Sequence, residues 1–156
     1  MARKTPATNM LDAAGVAYSL QSYDYDPDAE RIGLQAAESL GVPGHVVVKT
    51  LMALVDGKPV CVMVPSDHEV NMKKLAAAAG GKSAQMMKPA DAERATGYHV
   101  GGISPFGQRR KVAALMDAAA AALPEIFLNG GQRGLQIKIR PADAIATLGA
   151  IVAPLC

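Results

Sequence analysis

The stretch "VVVKTLMALVDGKPVCVMV", residues 46–64, decides the fold because it predicts a β-hairpin. Apolar residues, many of them β-branched, fill both halves, as is typical of strands. Between the halves stands Asp56-Gly57, a dipeptide suited to a tight turn that needs positive φ. We therefore expect two antiparallel strands joined by a two-residue turn.

A lysine interrupts the first of these apolar strands. Because side chains alternate between the faces of a strand, Lys49 would share one face with Val47, Leu51 and Ala53. Burying an unpaired ammonium is costly, so Lys49 must pair with an anion, extend to the end of the strand or lose its proton. Two interpretations stay open: an edge-strand lysine whose stem packs while its charge reaches water, and an anion site in a cleft.

The composition indicates an ordinary globular protein. The chain has 156 residues, so residues 1–156 are expected to form one domain that buries about two thirds of its unfolded surface. A net charge of +2 predicts that any contact with nucleic acid is small and local. Two cysteines form no disulfide framework, and neither a secretory segment nor a membrane-spanning apolar run is evident. We expect a reducing, cytoplasmic setting and no membrane association.

Prolines, glycines and capping residues predict short helices mixed with strands. The expected helices are residues 6–14, 30–41, 71–80, 88–97 and 141–149, and the expected strands are 16–23, 46–55, 58–64, 125–129, 133–140 and 150–154. Residues 109–123 have helical propensity throughout, yet residues 112–116 equally suit a strand before an alanine-rich turn of helix. Because strands and helices do not alternate strictly, the order favours an α+β fold around a mixed, barrel-like sheet with short helices around it.

Several kinds of catalytic site are excluded by missing motifs. The chain has no CxxC, HExxH, GxSxG or Walker loop, so we expect no metal and no cofactor. Ser66, Asp67 and His68 are chain neighbours, and neighbouring side chains on an extended chain point apart, which argues against a catalytic triad. Cys61 lies among apolar strand residues and is predicted to be a small core hydrophobe rather than a reactive thiolate.

Two glycine-rich loops stand out. "TGYHVGGISPFGQRRK", residues 96–111, contains four glycines and a proline. Such a loop lets backbone N–H groups approach a ligand, as in an anion cradle or an oxyanion hole, although an ordinary surface turn is the alternative. The second loop, "NGGQRG", residues 129–134, carries Arg133. We predict that it faces the first loop.

These motifs together resemble the bacterial YbaK family of free-standing aminoacyl-tRNA deacylases, relatives of the editing domain inserted in bacterial prolyl-tRNA synthetases. The similarity is carried by "TPATNMLDAAGV" (5–16), "VVVKTLMALVDGK" (46–58), "ATGYHVGGISPFGQRRK" (95–111) and "GGQRGLQI" (130–137). It runs over essentially the whole chain, and the order of motifs agrees. The resemblance also favours a strand for residues 111–117.

The resemblance implies removal of cysteine wrongly attached to proline tRNA, and allows other Cys-tRNAs as substrates. In that family picture the thiol of the substrate attacks its own carbonyl, forms a cyclic thiolactone and releases the tRNA. The implied partner is the aminoacyl-tRNA 3′ end. Because the sequence offers little basic surface for recognising a tRNA, prolyl-tRNA synthetase is expected as a further partner. A deacylase for alanine or another small residue, and a non-catalytic binder of nucleotides or tRNA ends, remain as alternatives. The oligomeric state is not predicted.

The resemblance also implies the site. It makes Lys49, Gly101 and Gly102 catalytic, with the ammonium of Lys49 holding the phosphate of the terminal adenosine or the polarised ester. The implied substrate-binding residues are Tyr23, Ile32, Thr50, Ile103, Ser104, Pro105, Asn129, Gly130, Gly131, Arg133 and Gln136. Three of them depart from the family pattern: Ile32 stands where an aromatic residue is common, Asn129 replaces a serine, and Gln136 replaces an acidic residue. The substrate range is therefore less determined than the class of reaction.

Overall fold

The predicted hairpin is present in the computed structural model, which describes residues 4–29 and 31–156 without the side chain of Ile32. Strands β2 (Val48–Val55) and β3 (Lys58–Pro65) pair antiparallel. Asp56 and Gly57 take φ values of 50° and 80°. Positive φ at both central residues is what a two-residue turn of type I′ requires, so the turn prediction is confirmed.

The hairpin lies in a five-stranded sheet of order β4-β2-β3-β5-β8. Strand β4 (Ala84–Met86), which the sequence did not predict, pairs antiparallel with the end of β2. Strand β5 (Ala113–Asp117) runs parallel to β3, and β8 (Ile151–Ala153) runs parallel to β5. The ambiguous stretch 109–123 thus contains a strand, followed by the short helix α5 (Ala118–Ala121).

A second, three-stranded sheet is antiparallel throughout. Strands β1 (Ser19–Ser22), β6 (Ile126–Asn129) and β7 (Leu135–Ile139) pair in the order β1-β7-β6. A parallel bridge between Val47 and Phe127 connects this sheet to the hairpin. The α+β class with mixed strand pairing is therefore confirmed, but the strands in the described residues form two sheets that meet at a bridge and do not close into a barrel.

The described residues form five longer helices: α1 (Pro6–Ala13), α2 (Ile32–Leu40), α3 (Met72–Ala78), α4 (Pro89–Thr96) and α6 (Pro141–Leu148). A 3-10 turn at Gly44–Val46 precedes β2. The predicted caps explain the helix bounds, since Thr5 begins α1 with a capping box and Gly41 ends α2 in the left-handed conformation. No helix in the described part of the chain is both long enough and apolar enough to cross a membrane.

The two faces of β2 pack into different cores, as alternation predicts. Val48 and Met52 belong to a cluster between the sheets that includes the fully buried Phe106. Ala53 and Val55 belong to a cluster on the other face, against α3 and the end of the chain. The apolar residues on both faces of β2 are thus explained, because each face packs into a core.

The close approach of Gly107 to the first turn of helix α1 predicts a difference in stability between two glycine variants. Gly107 has φ 67°, and a Cβ there would lie against the Pro6 carbonyl oxygen and 2.9 Å from the Ala7 nitrogen. Gly15 has nearly the same φ, 68°, but open space around its Cβ position. We expect Gly15→Ala to lower the free energy of unfolding by about 1 kcal/mol, through left-handed strain alone. Gly107→Ala should lower it by about 3 kcal/mol, because overpacking is added to the strain.

Urea unfolding of the two glycine variants beside the wild type measures this difference. The matched φ values make Gly15→Ala the control for backbone strain. Equal losses in the two variants would show that α1 does not constrain the loop at residue 107.

Candidate active site

A cleft of about 370 Å³ opens between the two sheets beside the Val47–Phe127 bridge. It exists because β4 is short and pairs only with residues 53–55 of β2. The first half of β2 therefore has no β4 residue opposite it, and residues from both faces of that half line the cleft. The lining residues are Tyr23, Arg31, Gly33, Val47, Val48, Lys49, Thr50, Leu51, Met52, Ser66, Glu69, Met86, Met87, Pro89, Ala92, Val100, Gly101, Ile103, Asn129 and Gln136.

Lys49 places a cation in this cleft. Its side chain is 21% exposed, and its Nζ lies 3.5 Å from Oε1 of Glu69, whose side chain is 73% exposed. The two interpretations of Lys49 as an edge-strand lysine and as an anion site in a cleft each describe part of this arrangement. Lys49 lies in the part of β2 that has no β4 residue beside it, and it also lines the cleft. An ion pair with so exposed a partner is weak, so an anionic ligand can replace the carboxylate.

Three polar side-chain atoms of cleft-lining residues are buried without a hydrogen-bond partner: Tyr23 Oη, Thr50 Oγ1 and Gln136 Oε1. Burial raises the pKa of the Tyr23 phenol, and the Gln136 amide, which lies close to the phenol oxygen without forming a hydrogen bond of good geometry, lowers it. Leaving a buried polar atom unpaired costs about 1–3 kcal/mol, and such atoms are rare in native proteins. Their concentration in one cleft indicates a site that a polar ligand completes.

The two glycine loops face each other, as predicted. Asn129 Nδ2 donates to the Gly101 carbonyl at 3.1 Å, and Arg133 Nε donates to the Val100 carbonyl at 2.9 Å. Asn129 Oδ1 also accepts the Gly131 N–H at 2.7 Å. Both polar atoms of the Asn129 side chain are therefore already hydrogen-bonded within the loops. Although Asn129 lines the cleft, this arrangement suits a residue that holds the two loops together better than one that binds the substrate.

Close packing explains why this crossing uses glycines. A Cβ on Gly101, which has φ 91°, would lie 2.7 Å from Tyr25 Oη, and a Cβ on Gly102 would lie 2.9 Å from the Arg133 nitrogen. The Gly102 N–H donates to the His99 carbonyl at 2.8 Å. Gly101 lines the cleft, whereas Gly102 is buried outside the lining. The geometry gives Gly102 a packing role and does not support its N–H as an oxyanion donor.

Several other predicted site residues lie behind the cleft wall. Ser104 and Pro105 are buried, and Ser104 Oγ accepts the Phe106 N–H at 3.2 Å. Gly130 packs against Leu135, since a Cβ there would approach its side chain to 2.8 Å. The lining does not include these three residues, nor does it include Gly102, Gly131 and Arg133. The packing of the two loops against each other buries most of them, whereas Arg133 is exposed to solvent.

The cleft also contains residues that the sequence motifs did not indicate. Gly33 lies so close to Ser66 that a Cβ on the glycine would collide with Ser66 Oγ, which donates to the Val47 carbonyl at 2.6 Å. Arg31 and Glu69 bring charges to the lining. None of these residues belongs to a recognisable local motif.

Ile32, a predicted substrate-binding residue, begins helix α2, but its side chain lies outside the described part of the structure.

The described cleft lining includes no cysteine or histidine side chain that could act as nucleophile or base. Ser66 has its hydroxyl bonded to a backbone carbonyl. Cys61 is a buried member of the core, as predicted, and burial raises the pKa of its thiol to about 12. Within residues 4–29 and 31–156 no group of His, Cys, Asp and Glu is arranged to hold a metal ion. The described lining therefore has cations and polar groups to position a substrate, but no nucleophile hydrogen-bonded to a base.

Comparison with known proteins identifies the family of this chain. The chain belongs to the aminoacyl-tRNA editing domain family, whose model matches residues 26–147. It is similar to the "Putative Cys-tRNA(Pro)/Cys-tRNA(Cys) deacylase EbsC" of Enterococcus faecalis, with 32% identity over 94% of this chain and 88% of that protein. The proline-tRNA ligase of Geobacter metallireducens is 34% identical over 64% of this chain, which corresponds to 17% of the ligase.

Solved structures support the fold. The crystal structure of the hypothetical protein APE2540 matches with a TM-score of 0.85 at 24% identity, covering 97% of this chain and 99% of that one. A structure described as a "putative trans-editing enzyme for prolyl tRNA synthetase" matches with a TM-score of 0.81 at 22% identity, covering 99% and 98%. The family match and the similarity to EbsC confirm the resemblance to the YbaK family, and the protein is an aminoacyl-tRNA deacylase.

Proposed function

We propose that this deacylase removes cysteine from mischarged proline tRNA, and that the cysteine itself supplies the nucleophile. The observation that carries the proposal is a cleft with one half-buried lysine and no nucleophile–base pair among its described lining residues. A named Cys-tRNA deacylase, EbsC, is similar over nearly the full chain. The proposed setting is the cytoplasm, where tRNA is charged, and the whole of residues 1–156 acts as one domain.

The proposed reaction needs no group from the enzyme to form a covalent bond. The substrate sulfur attacks the ester carbonyl, a carbon–sulfur bond forms, and the bond from that carbon to the ribose oxygen breaks. The thiol proton passes to the solvent and the ribose oxygen regains one, so the products are a cysteine thiolactone and free tRNA. Holding thiol and carbonyl in contact turns this into a positioned intramolecular step, which is a large source of rate enhancement.

The cleft residues have distinct proposed roles. The Lys49 ammonium stabilises negative charge on the ester oxygen or on the phosphate of the terminal adenosine, because it is the cation held half-buried in the cleft. Tyr23, Thr50 and Gln136 bind polar groups of the aminoacyl-adenosine through their unpartnered atoms. Gly101 and Ile103 form the wall. Asn129, Gly102, Ser104, Pro105, Gly130, Gly131 and Arg133 hold that wall in place.

A panel of charged tRNAs tests this function. Single-turnover deacylation is measured with Cys-tRNA(Pro), Ala-tRNA(Pro) and correctly charged Pro-tRNA(Pro), each against its rate without enzyme and with and without prolyl-tRNA synthetase. We expect fast release from Cys-tRNA(Pro) and little from the other two. Preference for Ala-tRNA(Pro) would make the enzyme an alanine deacylase, and binding without turnover of any substrate would contradict the proposed function.

A further inference from the structure

Glu69 is the acidic residue of the described cleft lining. Among the described lining residues no other aspartate or glutamate contributes to the wall. Glu69 lies in the segment between β3 and α3, where its carboxylate is 73% exposed and 3.5 Å from Lys49 Nζ. None of the sequence motifs that indicated the site includes it.

We propose, building on the deacylase function above, that Glu69 binds the α-ammonium group of the aminoacyl ester and so determines specificity for a free amino acid. The substrate carries a cation on the α-carbon, next to the carbonyl whose oxygen becomes negative during reaction. Lys49 and Glu69 present the complementary charges side by side. Opposite charges in a cleft favour one orientation of such a substrate, because the reversed orientation places like charges together.

The other polar side chains of the described lining are weaker partners for an ammonium group. Gln136 offers a neutral amide oxygen, and Asn129 Oδ1 already accepts the Gly131 N–H. Arg31 is itself a cation at the lining. A hydrogen bond to a charged acceptor is about twice as strong as one between neutral groups, so the carboxylate of Glu69 is the strongest partner for an ammonium group.

The geometry of the ion pair leaves Glu69 free for this role. A close charge-assisted N–H···O bond measures about 2.7–2.9 Å, whereas Glu69 Oε1 and Lys49 Nζ are 3.5 Å apart. The pair is therefore loose, and the exposed glutamate can turn toward a substrate that occupies the space beside Lys49. A carboxylate locked to the lysine would instead compete with the substrate.

The test combines one substitution with one change in the substrate. Glu69→Gln keeps the shape of the side chain and removes its charge. The substrates are Cys-tRNA(Pro) and 3-mercaptopropionyl-tRNA(Pro), which keeps the thiol and the ester but lacks the amino group. Asp67→Asn is the matched control. Asp67 lies in the same segment, its carboxylate is exposed and contacts His68, and it does not line the cleft.

We expect Glu69→Gln to slow single-turnover release from Cys-tRNA(Pro) about tenfold, because the substitution removes a charged hydrogen bond to the substrate at a solvent-exposed group. Release from the substrate without the amino group should change less than about twofold by the same argument. Asp67→Asn should affect neither. The difference between the two substrates is the signature of ammonium binding, since a role exerted through Lys49 would slow both equally.

The possible results separate the two proposals. If the wild type does not deacylate Cys-tRNA(Pro), the proposed function fails and the role of Glu69 fails with it. If the wild type is active but Glu69→Gln slows both substrates equally, has no effect or accelerates release, the proposed function stands and the ammonium-binding role is overturned.

Discussion

Lys49→Ala is expected to slow deacylation of Cys-tRNA(Pro) by about 100-fold, the usual effect of removing one group that stabilises a developing oxyanion. Among the described residues the ion-pair partner of Lys49 Nζ is the loosely held, exposed Glu69, so the charge of Lys49 is available to the substrate. The same weak pairing predicts that the free energy of unfolding changes by less than about 1 kcal/mol. Single-turnover rates and urea unfolding of the same preparation measure the two effects.

Two further variants make the lysine result specific. Lys58→Ala removes an exposed lysine from the same hairpin, outside the cleft lining, and should leave the rate within about twofold of the wild type. Lys49→Arg should restore only part of the activity, because a planar guanidinium does not match a site shaped for an ammonium. Wild-type turnover by a folded Lys49→Ala protein would show that the lysine is a structural edge-strand residue.

Cys-tRNA(Pro) is expected to be cleaved more than about 200-fold faster than Ser-tRNA(Pro), beyond the range that a small difference in side-chain size gives through binding alone. The two substrates differ by one atom. A thiol with a pKa near 8.5 supplies an appreciable thiolate fraction at neutral pH, whereas a hydroxyl ionises far less. If the nucleophile belongs to the substrate, this chemical difference dominates selectivity.

The comparison requires both esters on the same tRNA, with rates corrected for spontaneous hydrolysis. Ser104→Ala serves as the control for an enzyme nucleophile, and we expect at most a moderate loss because Ser104 is buried with its oxygen bonded to the Phe106 N–H. Comparable rates for the two esters, or loss of activity in a folded Ser104→Ala protein, would contradict attack by the substrate thiol.

Local patterns predicted most of the fold. Alternating apolar residues and Asp56-Gly57 were sufficient for the hairpin, and caps such as Thr5 and Gly41 placed the helix ends. Propensity could not decide residues 109–123, because a strand buried between β3 and β8 is set by its neighbours. Strand β4 is only three residues long, too short to give a periodic signal.

The candidate site was predictable only in part. Lys49 stood out as a charge in an apolar strand, and resemblance indicated Tyr23 and Gly101, which line the cleft. Sequence could not show that Ser104 turns inward, since that depends on its hydrogen bond within the folded loop. Nor could it indicate Glu69, because the proximity of that residue to Lys49 follows from the path of the chain after β3.

The first product released from Cys-tRNA(Pro) shows most directly whether the substrate thiol is the nucleophile. A single turnover is quenched early and analysed by mass spectrometry, with a parallel sample containing hydroxylamine and a control without enzyme. Attack by the substrate thiol predicts a cysteine thiolactone, with the mass of cysteine less one water, and an enzyme-dependent hydroxamate in the trapped sample. Free cysteine as the first product with no trappable precursor, or an acyl adduct on the protein, would contradict it.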